Sequence, residues 1–186
     1  MSENHFEFDR LVKSRRTSLL VDKSRNVPDS LIEEICELAM WAPNHKRTWP
    51  WRFAHVKGEA RAAYGNTVAD ALALAGKDED AVASARTKFL RSPSLIVVGS
   101  AKGDDQLRTD ENRDAVAAGI QTLLLAATAR GLATYWGSCP PPAQKAVADF
   151  CGFDPDTAII GHIYVGWPTG APEAPARPEL RVHHIG

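Results

Sequence analysis

The sequence predicts a sheet sandwiched between helices, an α+β arrangement, on three observations. Short β-branched runs stand far apart along the chain, long segments of helical periodicity separate them, and the two interleave too irregularly for a doubly wound βαβ ladder. The 186 residues suffice for one domain with a sizeable core and are too few for two of ordinary size. One domain over 1–186 is therefore expected, with an extended C-terminal arm from about Pro168. Apolar residues make up 44% and charged residues 24%, the profile of a globular chain and not of a disordered or fibrous one.

A first helix is read as ending near Ser14. The next begins near Pro28, a residue suited to a first helical turn, and carries Leu31, Ile35, Leu38 and Ala42 on one stripe with Glu33, Glu34 and Glu37 opposite. Pro43 stops it, a loop runs through Thr48, and Trp49 to Val56 alternates large and small residues as a strand does. Gly58 to Ala75 and Asp78 to Leu90 read as helices, and Leu95 to Val98 as a short buried strand. Thr109 to Arg130 is the longest helix, apolar on most faces after Ala115 and closed by Gly131 at a C-cap position. Gly119 inside it costs about 1 kcal/mol relative to alanine, and its reading is open between slack and the close approach of another backbone. Pro140 to Phe150 is a shorter helix, and Ala158 to Val165 a last strand ending at Gly166-Trp167-Pro168. The Pro/Ala stretch from Pro168 to Pro178 accounts for the expected arm.

Charge and cysteine usage narrow the function. Lysine and arginine total 22 against 23 acidic residues, so no broad positive field exists to gather nucleic acid or an anionic membrane. Cys36, Cys139 and Cys151 form no Cys-x-x-Cys pair and leave one over, against a disulfide framework or structural zinc and in favour of a reducing cytoplasm. Met1 to Arg10 is polar, without the apolar run of a signal or transit peptide. The apolar stretch Ala115 to Ala129, broken by Gln121 and Thr122, is shorter than the roughly 20 residues a bilayer requires.

Three segments concentrate chemistry. Ser14-Arg15-Arg16-Thr17-Ser18 sets two guanidinium groups among three hydroxyls, a constellation sized for phosphate, since arginine offers paired donors in a planar fork and hydroxyls complete the shell. A solvated basic turn is the competing reading. Asn44 to Trp51 packs donors and indoles into a loop between rigid elements, where binding residues gather; Trp51 is expected in the core, while Trp49 is open between covering a flat ligand and capping the sheet. Ala133 to Ser138 follows the long helix, and its glycine and hydroxyls allow close approach of a ligand, as they also suit an edge strand with a turn.

Taken in order, these segments resemble the nitroreductase family from about Ser14 to Pro168. The family's pattern is a Ser-Arg-Arg-Ser-like string, a helix ending in Ala-Pro, a loop to a Pro-Trp strand start, a long helix, then Gly-Leu, a Trp-Gly or Trp-Ser step, and a Gly-x-Pro. Here these stand as Ser14 to Thr17, Ala42-Pro43, Pro50-Trp51, Ala117 to Ala129, Gly131-Leu132, Trp136-Gly137-Ser138 and Gly166-Trp167-Pro168. The resemblance implies an α/β/α sandwich with a central mixed sheet, a homodimer with FMN at the subunit interface, and hydride passed from NADH or NADPH through the flavin N5 to a small organic acceptor in ping-pong fashion. It also implies roles: Arg15, Arg16 and Thr17 contact phosphate and ribityl, Trp41 and His45 reach the flavin from the partner subunit, Trp136, Gly137 and Ser138 line the ring, and Arg177 is a second phosphate arginine. No side chain need be catalytic, because the cofactor carries the hydride. Two departures stand out. Arg47 and Trp49 occupy positions where many members have Asn and Gln, and Leu19 replaces a lysine that in many members lies near the flavin N1 and C2 carbonyl.

Other readings fare worse. Gly99 to Gly103 has the wrong spacing for a dinucleotide fingerprint. A thiol hydrolase on Cys139 needs His45 or His162 beside it. His183-His184 suits a solvated tail better than a metal site, because no carboxylate pair accompanies it. The main rival keeps the fold and changes its use: a flavin-binding module for storage or sensing, or an enzyme that consumes flavin, without nicotinamide-driven turnover.

Overall fold

The computed structural model describes residues 3–186; Met1 and Ser2, part of the polar N-terminus, lie outside the described residues. Helices α1 (Glu3–Ser14) and α2 (Asp29–Ala39) precede strand β1 (Trp51–Lys57). Then follow α3 (Ala60–Leu74), α4 (Glu79–Lys88), β2 (Ser94–Ser100), α5 (Gln106–Ala129), β3 (Ala133–Gly137), α6 (Gln144–Phe150) and β4 (Ala158–Gly166). The strands form one sheet in the order β1-β2-β4-β3, and every ladder in it is antiparallel. The mixed character expected of the sheet is confined to one parallel bridge, Thr17 to Thr134. The cause is topological: each strand on joining the sheet runs opposite to its neighbour, and only the short stretch after α1 comes alongside β3 in the same direction.

Period-two alternation along the two central strands builds the layers. Ile96 and Val98 of β2, with Ile163 and Val165 of β4, face α2 and α5, where Ile32, Ile35, Val116, Ile120 and Leu123 complete one core. Leu95, Val97 and Tyr164 point the other way, into a second core with Tyr64 and Val68 of α3, Phe89 just after α4 and Val147 of α6. Both faces of β2 are therefore buried, which explains its continuous apolar run.

Element ends follow local chemistry. Asp78 and Asp105 accept from the Ala81 and Arg108 amides and so cap α4 and α5. Gly131, at φ +74°, lets Leu132 N–H return to the Ala127 carbonyl at 2.9 Å and Gly131 N–H to Thr128 at 3.0 Å, a Schellman closure of α5. Helix α2 ends before the expected Ala42: Met40, Trp41 and Ala42 donate to carbonyls three residues back, because the residue before Pro43 is disfavoured in helical geometry. This tightening swings Met40 and Trp41 out to solvent. Gly119 faces Trp51 and the Ala39 carbonyl with no room for a Cβ, which resolves its reading in favour of close packing. Among the described residues no helix is long and apolar enough to cross a membrane.

Candidate functional site

Two of the three chemistry-bearing segments meet. Ser18 N–H donates to the Thr134 carbonyl at 2.8 Å, beside the Thr17–Thr134 bridge, and this fastens the end of the Ser14 to Ser18 string to β3. Strand β3 is an edge strand, and Trp136, Gly137 and the following Ser138 form its free end. Arg16 lies between two cavities. One, of about 260 Å³, is lined by Ser14, Ser18, Thr128, Gly131 and the start of the arm at Pro168 to Pro172. The other, of about 330 Å³, is lined by Lys13, Arg16, Pro175 and Arg177, so the arm brings the second arginine back to the first. The arm is fastened at its root by Asp22 N–H to the Trp167 carbonyl and Thr169 N–H to the Leu20 carbonyl, both 2.9 Å.

The donor set fits a phosphate. Cations line both cavities, hydroxyls line the first, and neither lining includes a carboxylate. Arg15 and Arg16 are half-buried and Thr17 is exposed. Arg16 Nη1 is committed, donating to the Lys13 and Arg15 carbonyls at 2.6 and 2.8 Å at the C-terminal end of α1, which leaves its other nitrogens for a ligand. Trp136 lies over Gly161, where a Cβ would stand 2.1 Å from its Nε1, so the indole is seated on β4. Leu19 packs against the second core, an apolar role that accounts for the departure from lysine there.

Trp41 and His45 do not join this cluster. His45 Nδ1 lies 2.9 Å from Glu111 Oε1 and 3.0 Å from Arg108 Nη1, and Arg108 also pairs with Glu111. The His45 ring, and after it Arg108, hold the Glu111 carboxyl below its ordinary value. Trp41, 80% exposed, borders a groove of about 430 Å³ with Glu37, Met40, Asn44, Arg47 and Trp49. The His45 contacts sit at the N-terminal end of α5, whereas Ser14, Arg16 and Ser18 share a cavity with Thr128 near its C-terminal end. Glu111 and Thr128 are about 25 Å apart at the helical rise of roughly 1.5 Å per residue.

The loop itself is under strain. Lys46, Arg47 and Trp49 have φ of 61°, 54° and 50°, each left-handed at a cost of about 1–3 kcal/mol. A chain of polar contacts sustains it: Asn44 accepts from Trp49 N–H at 2.9 Å and donates to Thr48 at 3.0 Å, Thr48 donates to Asn112 at 2.5 Å, and Asn112 donates to the Ala101 carbonyl at 3.1 Å. Asn112 is buried, and no sequence signal marks it, because it stands in the run Glu111-Asn112-Arg113-Asp114 where every neighbour is polar.

Two hydrolase arrangements fail on geometry. Burial pushes the Cys139 thiol up to about 12, and His162 Nε2 is engaged by the Tyr64 hydroxyl at 2.6 Å, so neither a thiolate nor a free base is present. Asp29, His55 and Ser94 do stand in line, with His55 Nδ1 3.4 Å from Asp29 Oδ1 and Nε2 3.1 Å from Ser94 Oγ. Ser94, however, is 1% exposed on a strand paired on both sides, so the line ties β1 and β2 to α2.

A helix-flanked antiparallel sheet with an arginine-hydroxyl string along its edge strand is the architecture of a known class. The chain matches the model of the nitroreductase family over residues 12–167, and it belongs to that family. YfhC of Bacillus subtilis, a protein provisionally named an NAD(P)H nitroreductase, is 29% identical over 174 residues, 92% of this chain and 89% of that one. The crystal structure of a nitroreductase-like family protein from Bacillus cereus superposes with a TM-score of 0.79 at 28% identity, covering 92% of this chain and 90% of that one. A nitroreductase with bound FMN from Bacteroides fragilis shares the fold, with a TM-score of 0.73 at 20% identity over 96% of this chain and 98% of that one.

Proposed function

We propose that the chain is an FMN-dependent oxidoreductase that takes hydride from NADH or NADPH and gives it to a small organic acceptor such as a nitroarene or quinone, in a ping-pong cycle. FMN, when bound, supplies the hydride chemistry, and the chain's own residues bind it, orient it and shield it. Arg15, Arg16 and Arg177 hold the phosphate, Thr17 adds a hydroxyl donor, and Trp136, Gly137 and Ser138 flank the ring. The observation that carries this reading is the seating of the Ser14 to Ser18 string on β3, with Arg177 returned to the same cavity as Arg16. The name of YfhC supports the nicotinamide, and the FMN in the Bacteroides fragilis protein supports the flavin.

The same reading makes the protein a homodimer. His45 lies about 25 Å along α5 from the arginine string, beyond the reach of one flavin ring within a single chain. A second copy related by a two-fold axis brings its own loop to the first copy's β3 and uses both halves of the site twice. The exposed indole of Trp41 and the exposed Leu180, Val182 and Ile185 of the arm supply apolar surface for that contact.

Purified protein is expected to be yellow, to release FMN on mild denaturation, and to oxidise NADH or NADPH steadily when a nitroarene or quinone is present. A flavin store or sensor bleaches once and stops, and that result would overturn the enzymatic reading.

A further inference from the structure

The loop from Asn44 to Trp49 spends strain to present two side chains. Trp49 is pinned at both ends of its peptide: Asn44 Oδ1 takes its N–H at 2.9 Å, and Arg52 Nη1 donates to its carbonyl at 3.1 Å. Its indole nevertheless stays 56% exposed, tilted against the buried Trp51 with ring centroids 6.3 Å apart. Strained residues persist where their surroundings over-determine them, and they gather at ligand clamps. Beside the indole, Arg47 enters the same groove, and among the described residues neither Lys46 nor Arg47 is in an ion pair. Glu37 is the one acidic side chain lining the groove, exposed at the last turn of α2. Arg47 is the one cation in that lining, and Lys46 adds a second beside it on the loop.

We propose that this groove is the acceptor pocket and that it selects planar aromatic acceptors bearing an anionic group, with Trp49 stacking on the ring and Arg47 pairing with the anion. The inference rests on the oxidoreductase reading above, in which the loop lies over the partner's flavin. Trp41 and Met40 close the apolar side of the groove, whose volume of about 430 Å³ suits a substituted single ring or a small fused one. Guanidinium donors match a carboxylate or sulfonate in a planar fork, which a lysine reproduces only as a point charge.

The test uses the flavin-loaded full chain and three acceptors that share one nitroarene ring: para-nitrobenzoate, nitrobenzene and para-nitrobenzylammonium. The expected order of kcat/KM is anion, neutral, cation, with the anion favoured over the neutral ring by about tenfold, expressed in KM and weakened by salt. Arg47→Gln brings that ratio near one, Arg47→Lys retains part of it, and the KM for NADH and NADPH stays put. Equal rates for anion and neutral ring, a preference for the cation, or a ratio that survives Arg47→Gln overturns the inference. A change confined to the nicotinamide KM also overturns it, because the anion recognised is then the reductant's phosphate. Quenching of tryptophan fluorescence by the same compounds without any reductant gives a second reading. There the anion must quench at lower concentration than nitrobenzene, and must lose that advantage in Arg47→Gln. FMN content is measured on the same samples. A colourless protein refutes the oxidoreductase reading, while the quenching series still decides whether the groove holds an anion.

Discussion

Gly119→Ala tests the packing that supports the loop, and two rules disagree about its sign. Helix propensity favours alanine over glycine inside α5 by about 1 kcal/mol. The structure opposes this: a Cβ at Gly119 would stand 2.6 Å from Trp51 Nε1 and 2.8 Å from the Ala39 carbonyl oxygen. Neither neighbour is a flexible tip. The indole is buried and donates to the Ala115 carbonyl at 3.3 Å, and the carbonyl belongs to the last turn of α2. Overpacking of this kind costs about 1–3 kcal/mol, and losing the indole hydrogen bond about 1 kcal/mol more. The net is a destabilisation of about 1–3 kcal/mol, which for a chain of this size lowers Tm by roughly 3–10 °C. Thermal and urea unfolding followed by tryptophan fluorescence measure it. Ala118→Gly, at the exposed neighbouring position, provides the control for propensity alone. Because Trp51 opens β1 directly after the strained loop, the variant should also shift the Trp49 signal before it unfolds. A Gly119→Ala protein as stable as the parent, or more so, refutes the close approach of α2, α5 and Trp51.

The remaining predictions concern the site and its pH response. Arg16→Ala should weaken FMN binding by about tenfold to a hundredfold, the worth of a charge-assisted pair, and leave circular dichroism little changed; a folded variant that stays fully yellow counts against the phosphate assignment. His45→Ala should alter steady-state acceptor kinetics more than flavin content, and unchanged kinetics would remove His45 from the partner-facing loop. Burial lowers the His162 pKa from 6.5 to about 4. The unfolded ring takes up a proton below about pH 6.5 that the folded ring refuses until about pH 4, so this contribution to stability is complete above 6.5 and falls as pH drops between the two values. It amounts to about 2 kcal/mol between about pH 7 and about pH 5, read from urea unfolding, and a His162→Gln variant that shows the same slope would reassign the effect.

Much of the fold was legible because local signals agreed with tertiary ones. The apolar, β-branched runs of β2 and β4, the Gly131 cap and the long helix α5 appear within a few residues of their expected bounds, since local composition, periodicity and capping are properties of neighbouring residues. The early end of α2 was not legible, although Pro43 marked the region, because the stripe from Leu31 to Ala42 continues unbroken through it. Arg47 and Trp49 were visible as departures from a family pattern, whereas the left-handed backbone that presents them was not, because nothing in Lys46-Arg47-Thr48-Trp49 favours positive φ. Asn112 and the Tyr64–His162 bond were invisible for a related reason: each joins residues far apart in sequence, and neither partner is unusual in its own surroundings.

What the sequence determined alone was the set of elements and their amphipathic faces, together with the three segments able to meet a phosphate or a flat ring. Those depend on residue type and short-range spacing. The tertiary structure decided which segments share a site. It seated the arginine string on β3 and carried His45 with its loop to the far end of α5. That choice follows from the strand order and the length of one helix, both set by how the two cores close over the sheet.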